Sequence, residues 1–72
     1  MNRYLLFEEK LCSDELGTYT SFGIKVLDPN GSKIISVSDV STDKALVTKL
    51  CNLCTEHGLD PIHLMDVIED NI

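Results

Sequence analysis

The chain has 72 residues, with 12 acidic against 6 basic side chains and a formal net charge of -6. That length gives one small domain, residues 1–72, near the lower size at which a core alone holds a chain together, and it excludes a second. An acidic surface repels phosphate backbones and anionic lipid heads, so nucleic acid and membranes are excluded as expected partners.

The opening segment MNRYLLFEEKL has four consecutive large side chains before two glutamates. This is too short for a signal-peptide core or a spanning helix, and a cytoplasmic protein is expected. Cys12, Cys51 and Cys54 cannot all pair within one monomer. Small secreted domains usually carry an even, denser set, so reduced thiols are expected.

Residues 3 to 11, RYLLFEEKL, show no 3.6-residue stripe that survives Glu8 and Glu9, and they read as a strand. SDELG at 13 to 17 is turn chemistry. Residues 18 to 27, TYTSFGIKVL, are rich in β-branched and aromatic side chains, with Phe22, Ile24 and Val26 alternating onto one face. Gly23 inside that strand marks a bulge or a close backbone contact. DPNG at 28 to 31 is the clearest local signal: Pro29 presets φ, while Asn30 and Gly31 tolerate positive φ. A hairpin follows, with SKIISVSDV as its second arm. Three strands joined by short turns make an antiparallel meander.

After Val40 the period becomes helical. Ser41 is the expected cap, Asp43 favours the positive end of the helix dipole, and Gly58 fits the left-handed position past the last turn. At about 100° per residue, Leu46, Leu50, Leu53, Cys54 and His57 share one stripe, with Val47 at its edge and Cys51 at its margin. Asp60 followed by Pro61 starts a second helix that runs to about Asp70, with Leu64, Met65, Ile68 and Ile72 as its apolar side. The expected fold is therefore α+β in the order βββαα.

CNLCTEHGLDPIH, residues 51 to 63, holds two cysteines and two histidines, and Cys51, Cys54, His57 and His63 are the candidate metal or redox residues. A structural zinc site wants its Cys-x-x-Cys on a tight turn and four convergent ligands. Here both cysteines fall inside one helix, their Cβ atoms about 5–6 Å apart, beyond the roughly 3.8 Å that suits a disulfide. They also sit in the C-terminal half, where the helix dipole disfavours a thiolate. The pair reads as helix surface that contains sulfur, Cys54 as a small buried hydrophobe and Cys51 as a marginal residue tolerant of serine.

His63, Asp66 and Asp70 share one side of the second helix with Glu69 adjacent, an arrangement that suits a divalent cation or acid–base work but more simply a solvated charged face. Ser36, Ser38, Ser41 and Thr42 lie near Asp39 without an adjacent histidine, and hydroxyls at a helix start are usually caps. With no nucleophile–base pair and no Gly-rich phosphate loop, no enzyme is expected, and no cofactor.

TYTSFGIKV, DVSTDKALV at the start of the first helix and LDPIHLMDVIED near the C-terminus resemble a family of short, uncharacterised proteins of clostridia and related Firmicutes, a domain of unknown function. The resemblance spans nearly the whole chain. It implies a bacterial, cytosolic source and leaves activity and ligand open.

Face counting supplies the rest. If Phe22, Ile24, Val26, Ile35 and Val37 meet the helices, then Tyr19, Leu27 and Ile34 face away with one parity of the run from Tyr4 to Phe7. That is more apolar surface than a small acidic monomer exposes at ease. The expectation is a protein-interaction module, self-associating through the bare sheet face or an edge strand, with Tyr19, Leu27 and Ile34 as interface residues. A small metal- or thiol-dependent regulator using Cys51, Cys54, His57 and His63 is the alternative. An acidic decoy for a basic nucleic-acid-binding protein is a third, weakened because the acidic residues are spread along the chain.

Overall fold

Alternation of apolar side chains over residues 18 to 27 builds the central strand, and everything else packs around it. The structure, a computed structural model, describes residues 2–71. It contains β1 (Arg3–Ser13), β2 (Gly17–Leu27), β3 (Lys33–Ser41), α1 (Lys44–Glu56), a 3-10 turn (Pro61–His63) and α2 (Leu64–Asn71). The strands form one antiparallel sheet in the order β1-β2-β3, so the chain is α+β with the expected βββαα order.

β1 and β2 pair without interruption from Arg3 opposite Leu27 to Ser13 opposite Gly17. The β2–β3 turn is held by the Asp28 side chain, whose Oδ1 accepts from the backbone N–H groups of Asn30 and Ser32, each at 2.9 Å. Gly31 takes positive φ, at 89°, and Asn30 does not. β3 is irregular at two places. Val26 faces Ile35 while Leu27 faces Lys33, which leaves Ile34 bulged; Ile24 faces Val37 while Phe22 faces Ser41, which sets Ser38, Asp39 and Val40 against Gly23 alone.

Gly23 is the position that makes the second irregularity possible. A Cβ built there would run into the Phe7 ring at Cζ and the backbone carbonyl oxygen of Val37. The expectation of a bulge or a close backbone contact at Gly23 thus holds on both counts.

The core joins Tyr4, Phe22, Ile24, Val26 and Val40 of the sheet to Val47, Leu50, Cys51 and Cys54 of α1 and to Leu64 and Ile68 of α2. The buried stripe of α1 differs from the expected one. Val47, Leu50, Cys51 and Cys54 face inward at i, i+3, i+4 and i+7 spacing, Leu46 and Leu53 are half-buried, and His57 is exposed. Hydrophobicity alone weights the leucines, but the sheet decides which side of the helix it covers. On α2, Leu64 and Ile68 are buried while Met65 stands 47% exposed, against expectation, and Ile72 lies outside the described residues.

The caps are equally local. Asp43, not Ser41, is the N-cap of α1: its Oδ1 accepts from Leu46 N–H at 3.2 Å, while Ser41 Oγ accepts from Asp43 N–H at 3.0 Å. At the other end Leu59 N–H donates to the Cys54 carbonyl and Gly58 N–H to the Thr55 carbonyl, with Gly58 at φ 57°. This pair of bonds is a Schellman motif, which places Leu59 back against Cys54 and the core. Asp60 then caps the 3-10 turn by accepting from Ile62 N–H. β1 is tied to this end of α1 by the Tyr4 hydroxyl, which donates to the Leu59 carbonyl at 2.5 Å, and by Tyr4 N–H, which donates to Thr55 Oγ1 at 3.3 Å.

Two glycine substitutions separate strain from collision. Gly31→Ala meets no atom and should cost about 1 kcal/mol through its positive φ. Gly23→Ala should cost more, on the order of 2 kcal/mol or above, because the Val37 carbonyl belongs to the backbone and cannot swing aside. Thermal melting of both variants checks the order, and a milder effect at Gly23 would show that β3 shifts freely over that position.

Candidate functional site

The four candidate metal or redox residues do not converge. Cys51 and Cys54 are in the core, 4% and 3% exposed, whereas His57 and His63 are exposed to solvent. Among the described residues no three His, Cys, Asp or Glu side chains lie together as a set that could hold a metal ion. Burial first, and the neighbouring Cys54 second, push the Cys51 thiol up to about 11, and burial raises Cys54 as well. Both sulfurs are therefore held as neutral thiols, the opposite of what nucleophilic or redox chemistry needs. The reading of Cys51 as marginal is corrected here: it points into the core, between the α1 turns that carry Val47 and Cys54. Cys12, the third thiol, is exposed near the end of β1 with its Sγ 3.5 Å from Thr18 Oγ1.

His63, Asp66, Glu69 and Asp70 are all exposed, and Asn71 Nδ2 closes the last turn of α2 by donating to the Val67 carbonyl at 2.8 Å. The groove beside them is lined by Leu53, Cys54, His57, Leu59 and Val67, and so offers apolar walls with a single imidazole at the rim.

The helix-free face of the sheet holds more structure than its sequence suggests. Side chains of Tyr19, Ser21, Lys25 and Leu27 share it with Leu5, Phe7, Glu9 and Leu11, because opposed residues of a ladder lie on one side. In the middle of that face β2 has only Ser21 and Gly23. The space they leave lets β1 reach β3: the Phe7 ring lies over Gly23, and the Glu9 carboxylate accepts from Asp39 N–H at 2.8 Å and from the Ser38 hydroxyl.

Asp39 itself stands at φ 53°, a left-handed conformation that aspartate tolerates better than most residues. Its carboxylate is held by hydroxyls, Ser21 Oγ at 2.5 Å and Tyr19 Oη at 3.3 Å. Ser21 is fully buried, and shares its proton with the Ser41 carbonyl at 3.2 Å. The Tyr19 phenol is pushed above its ordinary range, first by lost hydration and then by the Asp39 carboxylate. The serines near Asp39 are thus partners in a bulge and not nucleophiles. Sequence reading missed this Glu9–Ser38–Asp39–Ser21–Tyr19 network. The one sign of it was small side chains at alternate positions, 21 and 23, of an otherwise bulky strand.

Tyr19, Leu27 and Ile34 are consequently not equivalent. Tyr19 and Leu27 are half-buried, and Ile34 is 49% exposed. Ile35, expected under the helices, lies on their side of the sheet opposite Val26 yet remains 36% exposed, because α1 lies over β1 and β2 more than over β3. Two adjacent exposed isoleucines on an outer strand are the main uncovered apolar feature of the sheet.

No helix among the described residues is long and apolar enough to cross a membrane. The profile of a family of unknown function, DUF6514, matches residues 1–72. No curated protein and no solved structure matches the chain.

The thiols give a direct check. At about pH 8 a thiol-specific reagent should modify Cys12 in native protein and all three cysteines after denaturation. Because the folded-state pKa of Cys51, about 11, lies above the ordinary 9.0, its contribution to stability is complete below pH 9 and is lost as pH rises through 11. Melting temperature should therefore fall across that window in wild type and fall less steeply in Cys51→Ala, which should be less stable at neutral pH by about 1 kcal/mol. Equal slopes in the two proteins would place the titrating group elsewhere.

Proposed function

We propose, for a chain that belongs to the DUF6514 family of unknown function, that it is a protein-interaction module without catalytic activity and that its partner is a second copy of itself. The observation that carries this reading is the exposure of Ile34 and Ile35 side by side on β3, an outer strand of the sheet, with Leu27 half-buried beside that end of it. Apolar side chains left exposed on the open edge of a sheet mark an association surface more often than singly scattered ones do. A symmetric dimer closes such a patch with a single self-complementary contact. The remaining chemistry supports a binding role: the buried thiols are protonated, the histidines stand apart, and the serines are engaged with carboxylates.

We place the protein in a bacterial, Firmicute cytosol. Three free cysteines fit a reducing compartment, and the net charge of -6 argues against nucleic acid or an anionic membrane as the partner.

Sedimentation should show a concentration-dependent monomer–dimer equilibrium, and Ile34→Lys should shift it toward monomer without lowering the melting temperature of the monomer, since Ile34 lies outside the core. A wild type that sediments as a strict monomer at high micromolar concentration would overturn self-association.

A further inference from the structure

A three-stranded sheet has two outer strands, and the two here are not alike. β1 carries Glu8, Glu9 and Lys10 in sequence, charges that discourage pairing with another strand, and α1 covers its first residues through the bonds from Tyr4. β3 has no charge from Ile34 to Ser38, and its only charged residues, Lys33 and Asp39, stand at the two ends of that stretch. Among the described residues no helix caps its outer side as α1 caps β1. From this asymmetry, and resting on the self-association proposed above, we infer that two copies pair β3 against β3 antiparallel, with the two-fold axis at Ser36, to make one continuous six-stranded sheet.

The register follows from symmetry and charge. A two-fold axis that joins antiparallel strands in one sheet stands perpendicular to it, so opposed residues share a face and the axis passes through a residue position, not between two. Centred on Ile35, the pairing sets Lys33 against Val37 of the partner subunit and leaves both charges without a counterpart. Centred on Val37, it sets Ile35 against the partner's Asp39, an apolar side chain against a carboxylate. Centred on Ser36, it sets Lys33 against the partner's Asp39 twice over, Ile34 against the partner's Ser38, and Ile35 against the partner's Val37. Ile35 and Val37 both lie on the helix side of the sheet, so this register covers the isoleucine that α1 leaves open.

The bulges support the same centre. Lys33 lies opposite Leu27 and Ser36 opposite Lys25, which puts both on the helix-free face despite their odd separation, because Ile34 is the extra residue between them. The Asp39 carboxylate is on that face too, bonded to Ser21 and Tyr19 and to no cation among the described residues. Lys33 and Asp39 are thus equally spaced from Ser36 and on one side, as a two-fold through Ser36 requires. The same bulges confine regular backbone pairing to the segment from Ile35 to Val37, so Lys33 and the partner's Asp39 meet through their side chains beyond it, and the dimer is short-edged and reversible, not the seed of a fibre.

Cross-linking and sedimentation together test the register. In a Cys12→Ser background, where the remaining native thiols are buried, Ser36→Cys should form a disulfide-linked dimer under mild oxidant, whereas Ile34→Cys, opposed to the partner's Ser38, should not. Lys33→Glu should raise the dimer dissociation constant about tenfold by opposing like charges at both ends, and as an exposed substitution it tests the pairing without threatening the fold. A protein that dimerises but cross-links as Ile34→Cys and not as Ser36→Cys, or whose dimer ignores Lys33→Glu, would overturn this register and leave self-association standing. A strict monomer would overturn both.

Discussion

The sheet is wider than the helical layer that covers it, and most of the molecule follows from that inequality. α1 lies across β1 and β2, where Tyr4, Ile24 and Val26 meet Val47, Leu50, Cys51 and Cys54 with little or no exposure. A thirteen-residue helix is about 20 Å long and about one helix wide, so it covers part of β1 and β2 and little of a third strand, and α2 adds Leu64 and Ile68 with Val67 beside them. Burial free energy scales with area removed from water, so the core forms where two layers overlap and stops where the upper one ends. β3 is held by backbone pairing and by Val37 and Val40 against the core, while Ile34 and Ile35 stay open.

The opposite face solves a related problem by different means. Among the described residues no second layer lies there, and bare apolar surface would favour aggregation. Ser21 and Gly23 thin the middle strand, so the Phe7 ring and the Glu9 carboxylate cross it and cover part of the face with the sheet's own side chains. The backbone of β3 bulges to meet them. Its freed Asp39 N–H has no ladder partner and takes the carboxylate of a strand two places away, a substitution that satisfies a polar group which would otherwise be costly to leave unpaired.

Burial also settles the chemistry of the cysteines. A Cys-x-x-Cys pair can serve metal binding, redox exchange or packing, and the choice depends on whether the sulfurs are reachable and whether the thiolate is stabilised. Here both are buried in the core and pushed toward the neutral form, so they act as small hydrophobes that fit α1 closely against the sheet.

Local information was sufficient for the elements and their order. The alternation of Phe22, Ile24 and Val26, the DPNG turn, Gly58 and the Asp60–Pro61 start are each fixed by φ preferences, side-chain period or capping chemistry within a few residues, and so could be read from the chain without its fold. The face of α1 that turns inward was not legible, because a helix with apolar residues over a broad arc can be rotated by about one position at little local cost, and the sheet chooses. That choice took Cys51 from margin to core and His57 out to solvent. The Asp39 network was hidden for the same kind of reason: Glu9 and Asp39 are thirty residues apart in sequence and meet only after β2 has placed a serine and a glycine between them. Sequence alone determined three strands, two helices and an acidic surface, since those depend on neighbours along the chain. Tertiary structure decided which residues are enclosed, which thiols are inert and which strand is left open, because those depend on how far one layer extends over another.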